Sequence, residues 1–465
     1  MTWKKISKDP VFTVSKNLPL RIYVAYGLGH ILNDVCAAMW FSYLLVFFHL
    51  VLKFKNNEAG ALLLVGQVAD AIATPIIGYH SDKDHSCWLY RFGRRKIWYF
   101  IGTICVLATF PFIFAPCIGC QNTTTSLQMV YYSFFIIIFQ FGWASVQISH
   151  MALIPEITPR EHQRTKLAAI RSGATVVASI FVYLVTWGVL GMSGGSDKKI
   201  NPDDVKKFQI IVWSIMSFGI VCSVIFYFNI KEQKTMMSCD EHVDSETRSN
   251  IKDLFKNYKV YLVAVIYMSS RLFLNLTQVF ISLYLDEALD MVASALAIIP
   301  LAMYVASFIA SLPIGVITKH IGRKLTYLLG TVIGLVACVW IQFGEDDSYK
   351  TYLIFLVVAL LGAATTIVLV SSFDITTELI GVKTNSGAFI YGIMSFADKL
   401  SNGITVEIIQ HFHNDETNTA YYKNVMTYAC GGAVLMGAIA VLLLNSNSAK
   451  TGEEGPKRKN IETIS

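Results

Sequence analysis

Twelve long apolar stretches divide this chain, and they constrain its fold more than any other feature of the sequence. They lie near residues 20–49, 58–80, 97–116, 127–155, 167–190, 208–229, 260–285, 293–318, 325–343, 351–378, 385–412 and 424–444. A helix needs about 20 predominantly apolar residues to cross a bilayer, where every backbone N–H and C=O must be satisfied within the segment. The 465 residues are 54% hydrophobic and only 15% charged, whereas a soluble chain carries about a quarter charged residues. The expected fold class is an all-α membrane protein with twelve transmembrane helices.

The first run starts at Ile22, behind Lys4, Lys5, Lys8 and Lys16. It is too long for a secretory signal core and contains His30, Asn33 and Asp34, so it reads as the first span. Of the 38 lysines and arginines, 27 fall on the N-terminal side of the membrane, counting Arg21 there, and 8 on the other. The remaining three, Arg171, Arg271 and Lys399, lie inside runs. That bias places both termini in the cytoplasm. It also accounts for the net charge of +6, so the partners implied are a lipid bilayer and a small molecule, with no nucleic acid.

The segment 230–259 is polar and charged, with Lys231, Glu232, Lys234, Asp240, Glu241, Asp244 and Glu246, and reads as a solvated linker. The expected organisation is a cytoplasmic tail 1–19, a six-helix bundle 20–229, the linker 230–259, a second six-helix bundle 260–445 and a tail 446–465.

One hairpin is written twice. Gly78-Tyr79-His80-Ser81-Asp82, with Arg91-Phe92-Gly93-Arg94-Arg95-Lys96 beyond it, has a weaker copy from Gly315 to Lys324 containing Gly322 and Arg323. Such repetition indicates two pseudo-symmetric halves. Gly78, Asp82, Arg91, Gly93, Arg94, Arg95, Gly322 and Arg323 are therefore expected to serve an inner gate. There Asp82 would pair with arginines and hold the inner ends of the halves together. The plainer role for these arginines is a positive-inside anchor.

Nine cysteines are scattered, mostly inside apolar runs. Cys117 and Cys120 form a close pair, read either as a disulfide or as two thiols capping a helix end. No second pair completes a metal site. Asn122-Thr123-Thr124 is a glycosylation sequon on the outer side.

An ionisable side chain at a helix centre in hydrocarbon costs roughly 2.5–3.5 kcal/mol, so such residues are functional candidates. His30 and Asp34 are four apart; Gln67, Asp70 and Thr74 share one face; Gln140, Trp143, Gln147 and His150 share another. Arg171 stands alone in the fifth run; Arg271, Asn275 and Gln278 mark the seventh, Asp374 and Glu378 the tenth, and Asp398, Lys399 and Asn402 the eleventh. Charges of both signs occur in both halves, which would let a cargo bearing a carboxylate and an ammonium compete for them. The alternative is that each pair only joins helices. The candidate substrate residues are Asp34, Arg171, Lys399, His30, Trp143, Gln147 and Arg271; the candidate cation-coupling residues are Asp70, Asp34 and Asp398. No nucleophile–base set appears in the loops, which argues against an enzyme. No cofactor is expected beyond a coupling proton or sodium ion.

The stretch from Gly78 to Lys96, with its echo at 315–324, resembles the loop signature of the major facilitator superfamily. Asp34, Asp70, Arg171 and Lys399 resemble positions of its glycoside–pentoside–hexuronide cation symporters, which bind sugar or the coupling cation. Gln147 stands where those symporters carry an aspartate, a departure that bears on sodium coupling and sugar specificity. Further motifs include Gly29-His30-Ile31-Leu32-Asn33-Asp34, Gly66-Gln67-Val68-Ala69-Asp70 and Pro116-Cys117-Ile118-Gly119-Cys120. With Phe139 to Ser145 and Thr384 to Phe389, they resemble the cysteine importers of lysosomes and melanosomes within the superfamily. That resemblance implies a carrier moving cytosolic cysteine into an acidic lumen, with the plasma membrane as the alternative location; a monomer is expected. Arg171 or Lys399 would hold the cargo's carboxylate and Asp34 its ammonium, while Asp70 would neutralise a nearby cation. The competing expectations are a cation-coupled sugar symporter and a membrane sensor that moves no solute.

Overall fold

The structure, a computed structural model, describes residues 18–82, 93–120, 123–158, 160–192, 199–230, 232, 258–380, 384–413 and 419–451. Most of the linker and of both tails, Asn122 and Arg91 lie outside the described residues, as does the side chain of Asp82.

The described chain is built from twelve long helices. In the first half these are α1 (Leu20–Val51), α2 (Asn56–Asp82), α3 (Arg94–Ile113), α4 (Thr125–Ala152, extended by Ile154–Ile157), α5 (Glu161–Met192) and α6 (Val205–Asn229). In the second they are α7 (Tyr258–Ala288), α8 (Ala295–Ile321), α9 (Arg323–Phe343), α10 (Ile354–Ile380), α11 (Thr384–Phe412) and α12 (Cys430–Thr451). Eleven are long and apolar enough to cross a membrane. The other, α11, runs for 29 residues with Asp398, Lys399 and Glu407 breaking its apolar character. The surface confirms the solvent these helices expect. Phe343 is 79% exposed and Phe228 76%, side chains that only lipid tails would accept so freely.

Helix packing repeats between the halves. α1 packs on α6 and α5, α2 on α4, and α3 on α4; in the same pattern α7 packs on α12 and α11, α8 on α10, and α9 on α10. The halves meet along α2–α11, α5–α8 and α1–α7, whereas α4 and α10 form no comparable interface among the described residues. Both α1 and α7 end at the outer side in a single wider turn, Phe47–Val51 and Tyr284–Ala288. Such π turns insert a residue into the helix and tend to occur at functional sites.

The outer end of the first half is packed with rings. Phe47, Phe48, Phe54, Phe114 and Tyr132 stack or tilt against one another at centroid distances of 4.9–5.9 Å, and Leu44 through Phe48 are almost fully buried. Ring pairs of this geometry add to the area they remove from solvent.

The duplicated hairpin has a backbone cause. Gly93 starts α3 at φ 113°, ψ 137°, and Gly322 starts α9 at φ 83°, ψ 158°. This region is essentially closed to residues with a Cβ. Next to the first of these turns, Glu232 accepts the backbone N–H groups of Arg95 and Lys96 at 3.1 Å. A carboxylate there complements the positive end of α3.

A Cβ on Gly322 would meet open space, as would one on Gly315 within α8, so the two isolate backbone strain from crowding. Gly322→Ala should lower stability by about 1–3 kcal/mol, read as a fall in the unfolding midpoint of purified protein in detergent. Gly315→Ala should leave that midpoint unchanged or raise it.

Candidate substrate site between the two halves

The first charged cluster forms where α1 breaks. Gly29 and His30 interrupt the helix between Leu28 and Ile31. The Gly29 carbonyl is taken up by the Tyr99 hydroxyl, which donates to it at 2.7 Å. A Cβ on Gly29 would fall 2.3 Å from the Phe226 ring, so only glycine lets α6 approach. One turn on, Asp34 Oδ1 lies 2.8 Å from His30 Nδ1, and Asp34 Oδ2 accepts the Thr175 hydroxyl at 3.0 Å. Arg171 Nη2 donates to His30 Nε2 at 3.1 Å.

An arginine can only donate, so His30 Nε2 accepts and the ring proton sits on Nδ1, facing Asp34; this tautomer is assigned from the network. The imidazole thus conducts the attraction between Arg171 and Asp34 without being charged itself. Arg171 Nε is buried with no partner, a donor left over for an acceptor that the protein does not supply. His150 sits behind this cluster, its Nε2 2.8 Å from the Tyr26 carbonyl and its ring stacked on Tyr26 at 4.2 Å. That is a packed core histidine.

The second cluster joins the halves. Lys399 Nζ on α11 donates to Asp70 Oδ1 and to Thr74 Oγ1 on α2, each at 2.6 Å. The cation beside Asp70 is therefore supplied by the protein itself. On the same helix, Asp398 Oδ2 accepts Arg271 Nε from α7 at 3.0 Å, and its Oδ1 accepts Asn402 Nδ2 at 2.6 Å. Asp34 with Arg171, Asp70 with Lys399 and Asp398 with Arg271 give three charge-balanced sets.

Trp143 on α4 connects them. Its Nε1 donates to the Asn33 carbonyl at 3.3 Å, Asn33 Nδ2 donates back to the Trp143 carbonyl at 3.2 Å, and Lys399 Nζ lies 5.7 Å from its ring centroid. Trp143, Trp40, Gln67, Asp70 and Gln140 line a cavity of about 10 Å³, the scale of a single water. Gln147, half-buried on α4, takes part in none of these bonds.

The inner-end residues sit apart from this centre. Arg94 and Arg95 both reach Glu156, at 3.5 and 2.5 Å, within the first half, and Arg323 reaches Glu378 at 2.8 Å within the second. These described pairs stay inside one half, where the sequence led us to expect them to bridge the two. Cys117 and Cys120 lie paired and buried, with Cα atoms 5.4 Å apart, a spacing that a disulfide spans.

Several site residues escaped the sequence. Thr175 is four positions beyond Arg171 and shares its face, so stepping along the helix would have found it. His49, Asn56, Glu287 and His413 converge at the outer end. Each stands at a helix terminus, where spacing carries no signal.

A twelve-helix membrane fold with paired charges between two similar halves defines a transporter rather than an enzyme. Residues 25–411 match the family described as MFS/sugar transport protein, and the chain belongs to that family. It is 37% identical over 452 residues to human major facilitator superfamily domain-containing protein 12, covering 92% of this chain and 93% of that one. The mouse counterpart is 36% identical over 457 residues, with 92% and 94% covered. Among solved structures it resembles a D-xylose-proton symporter with a TM-score of 0.68 at 16% identity, covering 91% of this chain and 97% of that one. The nucleoside transporter NupG gives 0.64 at 14% identity, covering 91% and 99%. The chain is thus a multi-pass membrane transporter of the major facilitator superfamily.

Removing the ammonium of Lys399 leaves Asp70 buried and unpaired. Lys399→Ala should cost about 3–5 kcal/mol, read as a large drop in thermal stability in nanodiscs. Adding Asp70→Asn should restore most of it. Additive losses in the double variant would show that the two side chains do not depend on each other.

Proposed function

We propose that this transporter carries cysteine, or a similarly small amino acid, from the cytosol into the acidic lumen of lysosomes or related organelles such as melanosomes. The observation that supports this most directly is the Asp34–His30–Arg171 chain, with its leftover Arg171 Nε donor. A zwitterion fits such a site. Its carboxylate takes the free guanidinium donor, its ammonium takes Asp34, and the site's net charge is unchanged. Lys399 and Asp70 then act on movement: exchanging partners at that pair lets the halves part, because neither charge is left bare.

The roles of Asp398 and Arg271 follow from the same rule. Their pair fixes α11 against α7, so Lys399 is presented to α2 from a rigid frame. Transport runs down the gradient of the cargo or by exchange, since cotransport with protons would drive cargo out of an acidic lumen. The carrier works as a monomer, each chain containing a whole site.

The second reading is a cation-coupled sugar symporter. It draws on the family description and on a distant relative, the lactose permease of Lactobacillus helveticus, 19% identical over 341 residues that cover 70% of this chain and 52% of that one. Trp143 and the buried amides of Gln67 and Gln140 would suit hydroxyls.

Radiolabelled cysteine uptake into isolated organelles separates the readings. Wild type should accumulate label, with unlabelled cysteine competing and hexosides not. Asp34→Asn, shown by microscopy to reach the same membrane, should lose roughly tenfold or more of uptake, as expected when one partner of a buried charged contact is truncated. Uptake by Asp34→Asn equal to wild type would sink the assignment.

A further inference from the structure

At the outer end, four side chains from separate helix termini meet across the two halves. His49 lies in the wide turn that ends α1, and Asn56 opens α2; Glu287 lies in the matching wide turn that ends α7, and His413 follows α11. Glu287 is shared: its Oε1 is 3.4 Å from His49 Nε2, and its Oε2 is 3.4 Å from His413 Nε2. Both histidines are largely enclosed, with side-chain exposures of 14% and 1%.

The protons are placed from hydrogen-bonding partners together with the two ion-pair contacts. His413 Nδ1 meets the Asn56 side-chain amide nitrogen. That nitrogen only donates, so His413 Nδ1 accepts and Nε2 carries the hydrogen toward Glu287. The His413–Glu287 contact is at ion-pair distance only, its Nε2 being left without a hydrogen-bond partner. His49 differs. Its Nδ1 lies 3.0 Å from the Phe54 carbonyl, and its Nε2 faces the Glu287 carboxylate. With Glu287 ionised, both partners are acceptors, and the imidazolium suits them both: Nδ1 by a hydrogen bond, Nε2 by charge at ion-pair distance. Without its second proton, His49 would present a lone pair to a carboxylate oxygen.

We propose that His49, Glu287 and His413 form a proton-binding site whose occupancy holds the outer face of the transporter shut. The bound proton sits on His49 and ties the first half to Glu287 of the second. When it leaves, the attraction across the halves is replaced by repulsion between lone pairs, and the outer ends are free to part. Acid on the outer side therefore favours closure, and a more alkaline pH there favours opening.

Other charged and titratable groups face the cluster. They are Lys53 beyond α1, Asp286 beside Glu287, the Lys199–Asp290 ion pair on neighbouring loops, and Tyr421 and Tyr422 ahead of α12, whose rings lie 4.3 and 4.9 Å from that of His413. Hydrogen bonding to Lys199 holds the exposed Asp290 carboxyl below its usual range, so that pair stays ionised at lumenal pH and leaves the switch to the histidine cluster.

The physiological meaning rests on the proposed delivery into an acidic lumen. An empty carrier that has released its cargo would be closed by lumenal protons and returned to the cytoplasmic side. The proton goes back to the lumen at the next opening, so none is carried across. The lumenal pH then sets how long the carrier stays open to the lumen, while the cargo gradient sets the direction of net flux.

The test is conformational and needs no cargo. Spin labels at Asn57→Cys and Asp347→Cys, on the exposed outer ends of α2 and of the α9–α10 loop, report separation of the halves. They are read by pulsed electron resonance on the full chain in nanodiscs, in a background without its other reactive cysteines. Between pH 7.5 and 5.0 the open-to-closed ratio should fall by roughly fivefold or more, the low end of ordinary coupling between sites. His49→Gln should abolish most of that fall, while His413→Gln should retain part of it. If His49→Gln fails to fold, Glu287→Gln serves instead and should also abolish the response. A wild type indifferent to pH, or a His49→Gln or Glu287→Gln protein with the full response, overturns the proposal. Failure of cysteine uptake would instead overturn the cargo assignment and leave this result standing.

Discussion

A charge left unpaired in hydrocarbon is too costly to keep, and that constraint is met here by the Lys399–Asp70 contact between the two halves. The pair is short, buried and reinforced by Thr74. Buried ion pairs of this kind add little net stability, since removing two charges from water offsets most of their attraction, but they do specify register. This one fixes α11 on α2. It also makes the join conditional, because neither side chain can leave until something else takes its place. In a rocking carrier that condition is useful: cargo or solvent must arrive at the interface before the interface gives way.

The remaining charges obey the same rule within each half. Arg171 reaches Asp34 through a neutral imidazole, and Arg271 reaches Asp398 directly. Around this charged middle, the two halves repeat down to the level of single turns. α1 and α7 both widen into a π turn at the outer end, and α3 and α9 both begin on a glycine with positive φ at the inner end. The repeat is not perfect, and its departures matter. Histidine stands in one wide turn and glutamate in the other, so a symmetric frame presents complementary groups to itself.

Much of this was legible in the sequence because hydrocarbon enforces simple rules. Twelve apolar runs gave the helices, and helical spacing put His30 with Asp34 and Asp70 with Thr74 on shared faces. The rarity of buried charge singled out Arg171, Arg271, Asp398 and Lys399. Partners across helices were harder to read. Nothing in the spacing of Lys399 says that it meets Asp70 rather than Asp34, because that choice depends on how α11 rotates against α2. The arginines after Gly93 and Gly322 were read from a shared location at the inner face; their described pairs run to Glu156 and Glu378 within one half, while Arg91 and the side chain of Asp82 lie outside the described residues. The outer cluster of His49, Glu287 and His413 was invisible, since turn and terminus residues follow no period.

The described hydrogen bonds and ion pairs between the halves all lie from the Lys399–Asp70 level outward. The histidine cluster is the outermost of these contacts. Membrane voltage falls across whatever layer stays dry, so in a state open to the inner side most of the field would drop across these outer contacts and little across Arg171 or Lys399. A zwitterion resting beside Arg171 in that state would remain at nearly the electrical potential of the inner side. It would cross the field only when that outer layer opens, and being neutral overall, it would do almost no electrical work in passing.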